Sequence, residues 1–265
     1  MYAENNSIVI TKTKIESEKI PSSFDGFKIV QLSDLHNKKF GSNQEVLIKK
    51  VLKTDPDLIV FTGDLIDSRK YDEKPSLILI EELVQIAPVY FVTGNHEWKS
   101  GKYEELEGKL KESGAQILRN ESVEITQENE KINIIGIDDP TIVNDSYDEK
   151  ASTEAAINQS IYGLEKGGFN ILLSHRPEMF SLYKQYKFDL VFSGHAHGGQ
   201  VRLPFIGGLV APNQGFFPKF TSGTHTSENT TMIVNRGLGN SIIPLRIFNR
   251  PEIVVVTLTS SSNGD

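Results

Sequence analysis

The chain has 265 residues, 38% of them hydrophobic and 24% charged, with 35 acidic against 28 basic side chains for a formal charge of -7, and no cysteine. That composition suits a soluble globular protein with ample core. It excludes disulfides, zinc-thiolate sites and cysteine nucleophiles, and without a basic face it argues against general nucleic-acid binding.

No apolar run approaches the ~18 residues of a membrane span, and residues 1–6 lack the charged-then-apolar layout of a signal peptide. Residues 7–15 alternate like a strand almost from the first residue. With hardly any leader before that strand, an upstream anchor or signal is expected; the chain as given reads as soluble, and its compartment stays open. A second strand, 27–32, ends at Ser33-Asp34-Leu35-His36. Residues 43–53 place Val46, Leu47, Val51 and Leu52 at helical spacing behind a Ser42/Asn43 cap.

Next comes Asp57-Leu-Ile-Val-Phe-Thr-Gly-Asp64-Leu-Ile-Asp67. Its four apolar residues read as a strand buried on both faces that delivers Asp64 at its carboxyl end, where open α/β sheets place their ligand sites. A helix from Pro75 to about Ile86 precedes the strand 89–92, which runs into Thr93-Gly94-Asn95-His96-Glu97. A helix near 103–112, short strands near 115–118, 121–126 and 131–137, a loop over 139–150 and a helix over 151–165 follow. Strand 169–173 ends at Ser174-His175, and strand 188–192 at Ser193-Gly194-His195-Ala196-His197. Residues 198–229 read as a long loop rich in glycine, proline and phenylalanine (Phe205, Phe216, Phe217, Phe220), and strands near 231–235 and 252–258 close a single domain over 1–265.

Five strands thus end in oxygen and nitrogen donors: Asp34, His36, Asp64, Asn95, His175, His195 and His197. Alternating strands and helices make a layered α/β fold in which such ends converge. Mixed imidazole and carboxylate donors suit Mn, Fe or Zn better than Ca, and two divalent ions bridged by Asp64 would lie roughly 3.5–4 Å apart. Two carboxylates against two such ions leave a positive cavity matched to phosphate, in which a bridging water loses its proton near neutral pH and attacks phosphorus. His96, beside Asn95, is the natural general acid for the leaving oxygen, with Asp67 in reach to orient it.

Asp34-Leu-His36, Gly63-Asp64-Leu-Ile-Asp67, Gly94-Asn95-His96-Glu97, His175 and Gly194-His195-Ala196-His197 resemble, in order, the full motif series of the calcineurin-like metallophosphoesterases, over residues 28–200. The resemblance implies a four-layer α/β/β/α sandwich of two mixed β-sheets flanked by helices. It also implies a dinuclear centre: Asp34, His36, Asp64 and His197 at one metal, Asp64, Asn95, His175 and His195 at the other, with His96 as proton donor. Ser33-Asp34-Leu-His36 and His197-Gly-Gly-Gln-Val-Arg-Leu-Pro-Phe-Ile-Gly-Gly208 are similar to the bacterial YaeI/YkuE-like branch. That branch often carries an N-terminal membrane or export segment, and relatives act on lipid-linked diphosphates such as UDP-diacylglucosamine. Ala196 stands where threonine is common.

Other readings accompany these. His225 falls outside the motif series and reads as a surface residue, Asp57 as a cap, and Glu97 as a helix-start acid. Arg176 either clamps a substrate phosphate bidentately or pairs at the surface. The 198–229 segment either binds an apolar substrate portion or a membrane, with Arg202 and Lys219 at head groups, or else its phenylalanines finish the core. The expected function is hydrolysis of a phosphoester or diphosphate bond in a phosphorylated small molecule or lipid. The alternatives are a non-catalytic scaffold on the same fold and a small-nucleotide phosphodiesterase.

Overall fold

The computed structural model describes residues 2–142, 148–165, 167–203, 206–240 and 245–261. The N-terminal half supplies β1 (Val9–Ser17), β2 (Lys28–Leu32), β3 (Leu58–Thr62), β4 (Val89–Val92) and β5 (Gln116–Ile117). Between and before them lie α1 (Tyr2–Asn6), α2 (Glu45–Leu52), α3 (Lys74–Leu83), α4 (Asn95–Lys99) and α5 (Tyr103–Glu112). The second half supplies β6 (Glu121–Gln127), β7 (Glu130–Gly136), α6 (Glu149–Ser160), β8 (Phe169–Leu173), α7 (Phe180–Gln185) and β9 (Leu190–Ser193). Two short hairpins follow, β10 (Arg202–Leu203) with β11 (Gly207–Gly208) and β12 (Val210–Ala211) with β13 (Gly215–Phe216), then β14 (Gly223–Ser227), β15 (Thr230–Val234) and β16 (Glu252–Ser260).

Two six-stranded sheets result, ordered β1-β16-β2-β3-β4-β5 and β14-β15-β9-β8-β7-β6. Both are mixed: β2, β3, β4 and β5 run parallel while β16 is antiparallel to β2, and β7, β8, β9 and β15 run parallel with antiparallel edges β6 and β14. The parallel strands are the continuous apolar runs of the sequence, as strands covered on both faces must be. Between the sheets, Ile29, Leu58, Val60 and Val92 meet Ile134, Ile171, Leu173 and Phe192. On the outer faces, α2, α3 and α5 cover the first sheet through Leu47, Leu79 and Leu106, and α6 and α7 cover the second through Ile157 and Tyr183. This is the expected four-layer α/β/β/α sandwich. The buried Gln31 side chain crosses between sheets, its Nε2 donating to Thr62 Oγ1 (3.0 Å) and to the Ser193 carbonyl (2.9 Å).

The departures are local. Neither Ser42 nor Asn43 caps α2; Gln44 precedes it in a left-handed conformation and spends its side chain on the Phe40 N–H and the Lys38 carbonyl. Only Leu47 and Val51 of the four apolar positions face the core, while Val46 and Leu52 are exposed. The helix expected at 151–165 starts at Glu149, because the Asp148 carboxylate accepts from the Lys150 and Ala151 N–H groups. Asp57 caps no helix; it accepts from the Lys28 N–H at the start of β2 (2.7 Å). The 198–229 segment is not one loop, since it holds both hairpins and β14. Helices α4 and α7 are too short to have shown a period.

Gly136 at the end of β7 packs tightly against the first half of the chain, where an added Cβ would stand 2.2 Å from Leu118 Cβ and 2.9 Å from Val92 Cγ1. Gly136→Ala is therefore expected to overpack this contact and lower unfolding free energy by about 1–3 kcal/mol, read as a lower urea midpoint with an unchanged slope.

Candidate metal centre

All seven expected donors sit past strand ends. Asp34 and His36 follow β2, Asp64 follows β3, Asn95 opens α4 after β4, His175 follows β8, and His195 and His197 follow β9. They converge into two buried clusters, Asp34, His36, Asp64 and His197, and Asp64, His175 and His195, with Asp64 common to both. His36 Nε2 and His197 Nε2 face one another at 3.0 Å, as do His195 Nδ1 and His175 Nε2. Asp64 Oδ2 lies 3.3 Å from His175 Nε2 and 3.5 Å from His36 Nε2, and Asp34 Oδ1 lies 3.2 Å from His197 Nε2.

The chain turns sharply to reach this arrangement. Asp34, His36, Asp64, His195 and His197 all adopt left-handed backbone, φ 47 to 63°. Non-glycine residues take this conformation at a cost and hold it when their surroundings dictate it. Glu97 is the chief anchor: fully buried, it accepts from the N–H groups of Asp64 (2.8 Å), Leu65 (2.8 Å), Ile66 (3.2 Å) and Gly94 (2.7 Å). It is thus far more than a helix-start acid. Gly63 and Gly94 pack backbone to backbone, and a Cβ on Gly94 would come 2.4 Å from Asp64 Oδ1. On the other side, Asn249 Nδ2 donates to the His197 carbonyl (2.7 Å), and the Gly239 N–H donates to the Asp34 carbonyl (2.6 Å).

These C-terminal supports were not read from the sequence, although strand 231–235 ends in Asn235-Arg-Gly237, the same pattern of a strand closed by a polar residue and glycine.

The electrostatics fit cations. Burial favours neutral carboxyls, yet His175 beside Asp64 and His197 beside Asp34 outweigh it and hold both acids below the usual carboxylate range. Burial lowers His36 to about 3 and, with the Arg176 guanidinium, pushes His195 well below its ordinary value. Against burial, the Asp64 carboxylate raises His175 to about 10. The His175 Nδ1 edge is spent on the Thr62 carbonyl (2.8 Å), so the proton shared with Asp64 sits on Nε2, and a cation would replace it. Asn95 Oδ1 is buried without a hydrogen-bond partner, an acceptor aimed into the same space. Paired imidazole lone pairs, two carboxylates and an orphaned amide oxygen form a donor set suited to two divalent ions and poor in the oxygens that calcium prefers.

A cavity of about 300 Å³ opens on the clusters, lined among others by Asn95, His96, Lys99, Arg69, Arg176 and Asn213. His96 Nδ1 accepts from the Ser68 N–H (3.0 Å), so the neutral ring carries its proton on Nε2, while Asp67 Oδ1 stands 3.7 Å from Nδ1 to support the charged ring. Arg176 is neither a surface pair nor a free clamp. Its fork is held by Asp139, Nε to Oδ2 at 2.6 Å and Nη2 to Oδ1 at 3.0 Å, and only Nη1 turns toward His195 and Glu178. Glu178 Oε1 stands 3.9 Å from His195 Nε2, beyond hydrogen-bond distance, and accepts instead from Arg176 Nη1 (3.4 Å). His225 stands apart from the clusters, its ring edge-on to Phe220.

Fold and site together define a dinuclear metal-dependent phosphoesterase. The chain belongs to the calcineurin-like phosphoesterase family, whose profile matches residues 27–199. It is 34% identical over 98% of its length to YkuE, an uncharacterised metallophosphoesterase of Bacillus subtilis, and covers 89% of that protein. It is 31% identical over 94% of its length to a transmembrane protein with a metallophosphoesterase domain from Danio rerio, of which it covers 57%. Among the described residues no helix is long and apolar enough to cross a membrane. The sulfate thiohydrolase SoxB of Thermus thermophilus shares the fold, with a TM-score of 0.51 at 12% identity over 92% of this chain and 58% of that one.

Two outcomes follow from the supports. Glu97→Gln turns an amide toward four N–H donors and should lower unfolding free energy by about 2–3 kcal/mol in urea titrations. Burial would raise Asp139, but Arg176 outweighs it and holds this carboxyl below its ordinary value. With a folded pKa below the unfolded one, its stabilisation is present above about pH 4 and lost as pH falls through the folded pKa. Asp139→Asn should therefore cost about 3–5 kcal/mol at neutral pH and flatten the acid limb of a stability-versus-pH curve.

Proposed function

We propose that the protein hydrolyses a phosphodiester or diphosphate bond, with the scissile phosphate held over the paired donor clusters. One observation carries this reading: Asp64 belongs to both clusters, so ions bound there share a carboxylate and can grip one phosphate. When bound, the divalent ions supply Lewis acidity, polarising phosphoryl oxygens and acidifying water to near neutral pKa.

The side chains supply the rest. Asp34, His36, Asp64 and His197 would hold one ion, and Asp64, Asn95, His175 and His195 the other. To act as the acid, His96 must be protonated on both nitrogens: it would give its Nε2 proton to the leaving oxygen and return to the neutral ring, while its Nδ1–H faces Ser68 Oγ (3.2 Å) and Asp67 Oδ1 (3.7 Å). Arg176 Nη1 adds a donor at the cavity wall; bidentate clamping is ruled out by Asp139.

Arg69 and Lys99 flank His96 at the cavity rim, and neither has a carboxylate partner for its side chain among the described residues. They favour a second anionic group on the leaving side, as a diphosphate carries. A cavity of about 300 Å³ leaves the bulk of any larger substrate outside. A lipid-linked diphosphate of the UDP-diacylglucosamine kind is the finer form of this reading, and a small nucleotide is the competitor a substrate panel separates from it.

Elemental analysis of the purified protein should find close to two divalent ions per chain, and Asp64→Asn should lose them. His96→Ala should keep its metal yet lower kcat by about 10²–10⁴-fold, more for poor leaving groups than for nitrophenolate. Neither metal nor turnover in the wild type would leave the fold as a scaffold. Arg69→Ala and Lys99→Ala should raise KM for a diphosphate diester by about tenfold while sparing bis(p-nitrophenyl) phosphate. An equal effect on both substrates would remove the second anion.

A further inference from the structure

From Gly198 to Pro251 the chain contains a single acid, Glu228, against five basic residues, although acids outnumber bases over its whole length. The same stretch exposes four large apolar side chains, Phe216 at 82%, Phe217 at 69%, Phe248 at 64% and Ile206 at 61%, with Leu203 and Ile247 partly open. Phe220, by contrast, packs into the core against Phe180, and Phe205 lies outside the described residues.

Backbone hydrogen bonds join the segments that carry these residues. Val201 bridges to Ile247, Arg202 pairs with Gly208, the Leu209 N–H donates to the Val201 carbonyl (2.9 Å), and the Phe217 N–H donates to the Leu209 carbonyl (2.9 Å). Phe217 and Phe248 hold left-handed backbone, φ 53 and 50°, which bulky residues rarely adopt. Neither ring contributes to a buried cluster, so the conformation presents aromatics to the outside with no return in core packing. Lys219 lies exposed over the Phe220 ring, and among the described residues the Arg202 side chain hydrogen-bonds to the Gly198 carbonyl and Thr221.

We propose that this face docks on an anionic lipid bilayer, the aromatics entering the headgroup boundary and Lys219 and Arg202 meeting lipid phosphates. Exposed aromatics beside the Lys219 and Arg202 cations are the chemistry of interfacial binding, and the Glu149 carboxylate at the β12–β13 turn is engaged by Asn213 Nδ2 (3.0 Å). A symmetric second copy would set the same cations against one another. Pro212 and Asn213, in the turn between β12 and β13, wall the catalytic cavity, so docking brings its mouth to the lipid surface. The docking itself does not depend on the hydrolase reading.

The test is co-sedimentation of the full chain with vesicles of equal parts phosphatidylcholine and phosphatidylglycerol, beside phosphatidylcholine alone. Wild type should bind the mixed vesicles, and less as salt rises. The pair Phe216→Ser and Phe217→Asn, asparagine being tolerant of left-handed backbone, should bind about tenfold more weakly with an unchanged urea midpoint. Lys219→Glu should weaken binding to mixed vesicles alone. Asp64→Asn should bind like wild type, which separates this result from any failure of catalysis. Absence of binding at low salt, or binding unaltered in the double variant, overturns the proposal. So does a wild-type dimer in sedimentation velocity that the double variant dissociates, since the face would then serve self-association.

Discussion

A carboxylate shut away from water at Asp64 is the constraint that orders this molecule. Burying an unpaired anion costs several kcal/mol or more, so it must meet positive charge or give up its own. Here burial does not neutralise it, because the imidazoles of His175, His96 and His36 hold it ionised. The proton raised onto His175 is a partial substitute for the divalent charge that the donor set is shaped to receive. Metal affinity and fold stability are consequently linked, since cations that bind only the folded arrangement stabilise it by mass action.

Delivering seven donors to one place from five strand ends requires turns that ordinary backbone avoids. Five of the donors are left-handed, and the surrounding hydrogen bonds over-determine each of them. Glu97 serves two strand ends at once by collecting N–H groups from both, at the expense of its own carboxyl, which burial and the neighbouring Asp64 raise to about 7. Gly63 and Gly94 let those two turns touch. From the far end of the chain, Asn249 and Gly239 hold His197 and Asp34 by their carbonyls. The motif series alone therefore does not make the centre; the last third of the chain closes it.

Around the centre, charge is sorted by location. Arg176 is neutralised by Asp139 and stiffens the wall, whereas Arg69 and Lys99 remain open at the rim. Beyond the rim, residues 198–251 carry one acid, Glu228, and turn Phe216, Phe217 and Phe248 outward. Under the proposed reading, the open Arg69 and Lys99 favour phosphorylated ligands at the cavity of an otherwise acidic protein.

Much of this was legible in the order of residues. Apolar runs that stop at glycine and a polar side chain marked the parallel strands and their carboxyl ends, because a strand buried on both faces has no room for alternation. Asp34, His36, Asp64, Asn95, His175, His195 and His197 could be named from that punctuation and from their resemblance to a known series. The role of Glu97 could not be, since a helix-start acid and a fully buried acceptor of four N–H groups look alike until the two strand ends are brought together. Nor could the partner of Arg176, 37 residues away in Asp139, or the hold of Asn249 on His197, 52 residues away. The same holds for the phenylalanines after His197: composition is equal for Phe216, Phe217 and Phe220, and only packing sends one into the core and two outward. The sequence by itself determined which chemistry the chain can do, because donor types and strand ends are local. Tertiary structure alone decided which side chains support that chemistry and which face the outside, because those outcomes depend on contacts between segments far apart in the chain.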